Sequence, residues 1–428
     1  MARTDTEIAV PPRPRLFHGW VIVGVVFTAS LVGAASGFDM LAVLLKPMSE
    51  SLGLSRTAAL LPATIATGVS AVAGFFLGPL VDRYGPRRVM VACGLLGVAV
   101  LLLLSRMSEA WQFYVLFGLG IGILRPGLWG LPGMSALAHW FIRRRGRAMA
   151  LASAGMGVSA LVMIPIGQAV ANAFGWRAVW LMLAAMMLAL VVPAAALFMR
   201  GRPEEMGLRP DGEEPPAPGG AASLLPADLA RRGEDWQARE ALRTRAFWLI
   251  AIAFGLSMLP VGGLWLHALA FFTDAGLSAT QASFAMAATA LGTLPGRLVW
   301  GIIGERVPSR WCILISTAAT GAMLLLIMSA RHPLVAALAM ALWGFAQAGL
   351  IQQQMQVWPD YFGRSHIATI TGRALPVQML GSAAGPILAA RIFDVSGSYT
   401  ITFIIFMAAH ALGAVAIFFA RPPRRAAP

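Results

Sequence analysis

Twelve stretches of about twenty predominantly apolar residues absorb most of the chain between residues 19 and 421. Each is long enough to cross the hydrocarbon core of a bilayer as a helix, whereas a barrel strand would need only about ten residues. Composition agrees, since 12% of the 428 residues are charged, about half the fraction of a soluble domain. The sequence therefore specifies an all-α integral membrane protein of twelve transmembrane helices. The expected spans are 19–45, 56–81, 86–105, 111–139, 147–173, 176–199, 246–273, 279–304, 310–330, 333–358, 364–392 and 399–420.

The net charge of +14 does not describe a nucleic-acid surface, because the cations sit in short segments between apolar runs. Placing both tails and alternate loops on one side gathers Arg13, Arg15, Arg83, Arg87, Arg88, the RRRGR run at 143–147, Arg306, Arg310, Arg364, Arg421, Arg424 and Arg425 there. Lys46, Arg56, Arg106, Arg177, Arg331 and Arg391 fall on the other side. By the positive-inside rule the protein is expected in the cytoplasmic (inner) membrane with both termini cytoplasmic. Cys93 and Cys312 lie within apolar segments and imply neither a disulfide framework nor a metal cluster. The first apolar run reads as an uncleaved helix.

The longest polar stretch, 201–245, is rich in Pro, Gly and charge and reads as a cytoplasmic linker, with a short surface helix before the seventh span and Trp236 as its interfacial anchor. This divides the chain into a tail (1–18), a six-helix bundle (19–200), the linker, a second six-helix bundle (246–421) and a tail (422–428). The halves repeat. GPLVDRYGPRR closes the second span and GIIGERVPSR the eighth, so that Gly78, Asp82 and Arg83 match Gly301, Glu305 and Arg306 in spacing. GRAMALASAGMG and GRSHIATITG open the fifth and eleventh. Duplicated halves of this kind build a shared midplane site in secondary transporters.

With these residues in hand, the chain resembles the major facilitator superfamily over nearly its whole length. Gly78, Asp82, Arg83, Gly85, Arg87 and Arg88 match that superfamily's signature between helices two and three. FHGW, WFIRRRGRAMALASAGMG, FGWRAVW, PEEMGLRPDG, REALRTRAFW and GRLVWG resemble the monocarboxylate transporter and oxalate/formate antiporter group. The resemblance implies two pseudo-symmetric bundles. Independently of it, a carboxylate at Asp82 can face the amino end of a helix of the other half, or pair with an arginine, and so close the cytoplasmic side. The gate set is then Gly78, Asp82, Arg83, Arg87, Arg88, Gly301, Glu305 and Arg306; the arginines serve equally well as orientation charges.

Burying an ionised side chain at a helix centre costs about 2.5–3.5 kcal/mol on insertion scales, so intramembrane charges are functional candidates. Asp39, Arg125, Arg297 and Arg373 are four such groups, three cations against one anion, a balance that favours an anionic ligand. Arg297 stands four residues before Gly301, which resembles the arginine that binds the substrate carboxylate in the monocarboxylate group; the alternative is a structural ion pair. Arg125 lies in RPGLWGLPG, where Pro126 loosens the backbone, and Arg373 either binds substrate or reaches the headgroups.

Asp39 is the candidate proton carrier, or else neutralises Arg125 or Arg297. GFD at 37–39 also resembles part of the helix-one element of aromatic-acid/proton symporters, with Ser36 in place of its first aspartate. The family's mammalian members carry a lysine near the position of Asp39 and an aspartate where Thr293 stands, and its oxalate/formate branch a lysine near Gln378. Those departures loosen any transfer of mechanism. His267 is a second titratable candidate, against a structural role.

The expectation is a secondary active carrier of a small organic anion, a monocarboxylate moved with a proton or in exchange for another anion, working as a monomer by alternating access. The alternatives are an efflux or antiport carrier for larger aromatic or amphipathic acids, and a non-transporting membrane receptor. No catalytic group, metal-ligand spacing, phosphate loop or cofactor motif points to an enzyme or an ATP-driven pump.

Overall fold

A computed structural model describes residues 17–54, 56–212 and 235–423. The tail to residue 16, the linker core 213–234 and residues 424–428 lie outside the described residues, with the expectations placed on them, as do the side chains of Lys46 and Arg56. Among the described residues are twelve long helices: α1 (18–52), α2 (Arg56–Tyr84), α3 (Pro86–Ser105), α4 (Ala110–Trp140), α5 (Arg145–Phe174), α6 (Trp176–Phe198), α7 (Arg245–Asp274), α8 (Ala279–Arg306), α9 (Ser309–Ser329), α10 (Pro333–Phe362), α11 (Ile367–Ser396) and α12 (Thr400–Phe419). Eleven contain windows apolar enough to span a bilayer. The other, α11, is 30 residues long and packs between α7 and α2, so protein rather than lipid covers much of it.

Two helices are irregular where charges sit. α1 widens into a π-turn at Ala35–Asp39, with Gly37 at φ −97°, ψ −111°, before continuing to Leu52. α4 widens at Tyr114–Ile121 and again at Pro126–Gly130, directly after Arg125. Pro126 has no N–H to give and its ring crowds the preceding turn, which favours a wider turn there.

Two sequence expectations need correction. Trp236 does not anchor at the interface: it is 8% exposed, its amide donates to the Phe362 carbonyl, and its ring meets Phe362 edge-on. Of the expected surface helix, the described residues contain Ala238–Leu242. The two Gly-Arg segments are also not equivalent. Gly146 lies inside α5, whereas Gly363 precedes α11 in the positive-φ region at 77°.

The halves meet along two seams, α2 against α11 and α5 against α8. A Cβ on Gly146 would lie 1.9 Å from the Gly301 carbonyl oxygen, and one on Gly78 2.5 Å from that of Ala368. Only a missing side chain permits these approaches. Gly146→Ala should therefore cost about 1–3 kcal/mol by overpacking, read as a lowered midpoint of thermal unfolding in detergent. Gly24→Ala, whose Cβ meets nothing within 4 Å, should leave the midpoint unchanged or raised.

Candidate functional site

At the arginine-rich end, both repeated carboxylates sit on helix amino ends of the opposite half. Asp82 accepts from the amides of Ala368 (3.2 Å) and Thr369 (2.7 Å), the first turn of α11. Glu305 accepts from the Arg147 amide (3.0 Å) and from its guanidinium (2.8–3.0 Å) in the first turn of α5. Unpaired amides there carry partial positive charge and need acceptors. Asp82 thus meets amides rather than an arginine. Arg83, Arg87, Arg88 and Arg306 are exposed, and Arg83 lies over the ring of Tyr84.

Further contacts close the same end. Arg145 pairs with Asp360 at 2.9 Å with both side chains largely buried, Gln352 donates to the Gly146 carbonyl, and Arg364 to that of His139. Gln352, Gln353 and Gln356 are buried against the neighbouring helices. The Arg145–Asp360 pair was not legible beforehand; the RRRGR run hid one inward-facing arginine among exposed ones.

Deeper in, α5 organises the candidate charges. The Ser159 hydroxyl donates to Asp39 at 2.6 Å, and Asp39 and Arg125 feel each other's charge. The first half therefore brings Asp39 and Arg125 together at the two irregular turns of α1 and α4. A cavity of about 20 Å³, bordered by Arg125, Ser36, Cys93 and Gly97, has room for about one water. Arg297 is elsewhere. It is 9% exposed and reaches across from α8 to donate to the Ser153 carbonyl at 2.6 Å. Ser153 is six residues nearer than Ser159 to the arginine-rich end, about 9 Å along α5.

Among the described residues Arg297 has no acidic partner within salt-bridge reach, and its Nε is buried with no acceptor. Arg373 lies over the ring of Phe75 across the α2–α11 seam. Gln378 accepts from Gln354. His267 is away from both groups: its ring nitrogens contact the Tyr399 hydroxyl and the Pro386 carbonyl, each at 3.1 Å, a structural bridge between α7 and α11. Ser153 and Ser159 were not singled out from sequence, and only their six-residue spacing on one helix hints at their roles.

A model of the Major Facilitator Superfamily matches residues 26–272 and 263–428. Monocarboxylate transporter 13 of Bos taurus is 28% identical over 334 residues, 76% of this chain and 71% of the relative. Monocarboxylate transporter 11 of Homo sapiens is 27% identical over 406 residues, 90% of this chain and 79% of the relative. Among solved structures, the human organic anion transporter MFSD10 superposes with a TM-score of 0.68 at 16% identity, covering 96% of this chain and all of that one. FucP in the outward conformation gives 0.70 at 13%, covering 95% and 100%. The chain belongs to the Major Facilitator Superfamily; its relatives are transporters, not enzymes.

Breaking a buried ion pair by removing one partner costs up to about 3–5 kcal/mol, and here the Ser309 hydroxyl still donates to Asp360. Arg145→Met and Asp360→Asn should each lower the thermal midpoint markedly, and the double variant should recover much of the loss. Additive losses would show that the pair is not coupled.

Proposed function

We propose that this member of the Major Facilitator Superfamily carries a small organic anion, a monocarboxylate, across the inner membrane by alternating access, coupled to a proton. One observation carries the reading: Arg297 is a buried guanidinium at the meeting of the halves, held by a neutral carbonyl and with no acid within salt-bridge reach among the described residues. A buried cation without a counter-charge is costly, and a substrate carboxylate offers it two parallel charge-assisted hydrogen bonds. The monocarboxylate transporters among the relatives support the substrate class.

In this reading Asp39 is the coupling acid. Its partners are Ser159 and Arg125 of its own half, so its protonation alters a charge balance that an arriving anion also alters. Asp82 and Glu305 close the cytoplasmic side, and both contacts break when that side opens. The arginine-rich end faces the cytoplasm, and Arg373, on the α2–α11 seam, lies on the substrate's path. His267 holds the outer part of the second half together, and no proton transfer is assigned to it.

Uptake by purified protein in proteoliposomes, with a panel of monocarboxylates and an imposed pH gradient, tests this directly. Arg297→Gln should abolish uptake while the protein still folds and inserts. Asp39→Asn should keep substrate exchange at equal pH but lose acceleration by the gradient. Undiminished carboxylate uptake by Arg297→Gln would overturn the site assignment.

A further inference from the structure

The segments at the two ends of the linker each place a carboxylate under a loop of their own half. Asp211 accepts from the amides of Ile142 (2.9 Å), Arg143 (2.8 Å) and Arg144 (3.2 Å), which lead into α5. Asp235 accepts from the amides of Arg364 (2.8 Å) and Ser365 (3.1 Å) and from the Ser365 hydroxyl (2.5 Å), which lead into α11. These are the two helices whose first turns meet Glu305 and Asp82.

Asp211 is, among the described residues, the one non-glycine with positive φ, at 59°. That backbone is disfavoured for an L-residue and persists where the surroundings over-determine it. A glycine would adopt it without strain, yet only the aspartate supplies an acceptor for three amides. Its neighbours are fixed too. Gly212 follows at φ 71°, and a Cβ there would lie 3.0 Å from the ring of Phe17. On the other side, the bond from the Trp236 amide to Phe362 holds Asp235 against its loop.

We propose that Asp211 and Asp235 are positioning residues for the cytoplasmic gate. Each fixes a loop so that the amides of α5 and α11 stand where Glu305 and Asp82 meet them, and the linker ends thereby set the balance between closed and open cytoplasmic sides. This rests on the gate reading of Asp82 and Glu305, and the test separates the two.

In a chain carrying Cys93→Ala and Cys312→Ala, Met355→Cys places a thiol on α10, beside Met134 and Ser153 of the first half. Its labelling by a membrane-impermeant maleimide, applied to the cytoplasmic face of inside-out vesicles, reports opening. Asp211→Gly and Asp235→Ala should each raise the labelling rate several-fold. Asp211→Asn, which keeps one acceptor oxygen and tolerates the backbone, should fall between Asp211→Gly and the parent.

The thermal midpoint of Asp211→Gly should be little changed, since strain is relieved as hydrogen bonds are lost. A lowered midpoint with unchanged labelling would make the aspartates structural caps only and overturn the proposal. Asp82→Asn in the same background reports on the gate itself. If it raises labelling while the linker variants do not, the positioning role fails and the gate stands; if it too has no effect, the gate reading fails and takes this proposal with it.

Discussion

Amides at the start of a helix have no carbonyl of their own helix to bind, and a side chain, water or another segment must supply the acceptor. In this protein the amino ends of α5 and α11 are satisfied by Glu305 and Asp82 of the opposite half. Much else at that end depends on these two contacts. They require the helices to approach closely, which the glycines allow, and they bring Arg145 to Asp360 and Gln352 to Gly146.

The buried charges divide unequally between the halves. Asp39, Ser159 and Arg125 all belong to the first, so that group travels together whenever the halves move. Arg297 belongs to the second, and among the described residues its hydrogen bond to the first is to the Ser153 carbonyl. Separation along α5 and α8 would take away that acceptor while leaving the acid and its arginine intact. Of the deeper charges, Arg297 is therefore the one that a change in the relative position of the halves would act on, while the Asp39–Arg125 group would move as a unit.

Hydropathy made the helices legible because each must present some twenty apolar residues to lipid; even α11, which has no window apolar enough to qualify as a span by itself, was legible at 364–392. Repetition of Gly78 and Asp82 as Gly301 and Glu305 made the carboxylate-to-helix contacts legible as well. Other features were not. Trp236 looks like an interfacial residue in sequence, and only the position of Phe362 shows that protein covers it. Asp211 sits in a Pro-Asp-Gly turn that resembles any surface turn, and its three amide partners are 67–69 residues away. Arg297 and Arg125 appeared as one pooled set of cations, because one-dimensional spacing does not say which arginines share a helix bundle's interior with an acid.

At its closest points the seam between the halves is glycine lying on main chain, Gly146 on Gly301 and Gly78 on Ala368. Surfaces of that kind have no rotamers to freeze when they join and none to release when they part. Joining and parting them therefore changes side-chain entropy little at those points, and no new interdigitation has to be found on each return. Under the alternating-access reading proposed above, such a seam parts and rejoins at small cost in order, as a flat hinge plate does.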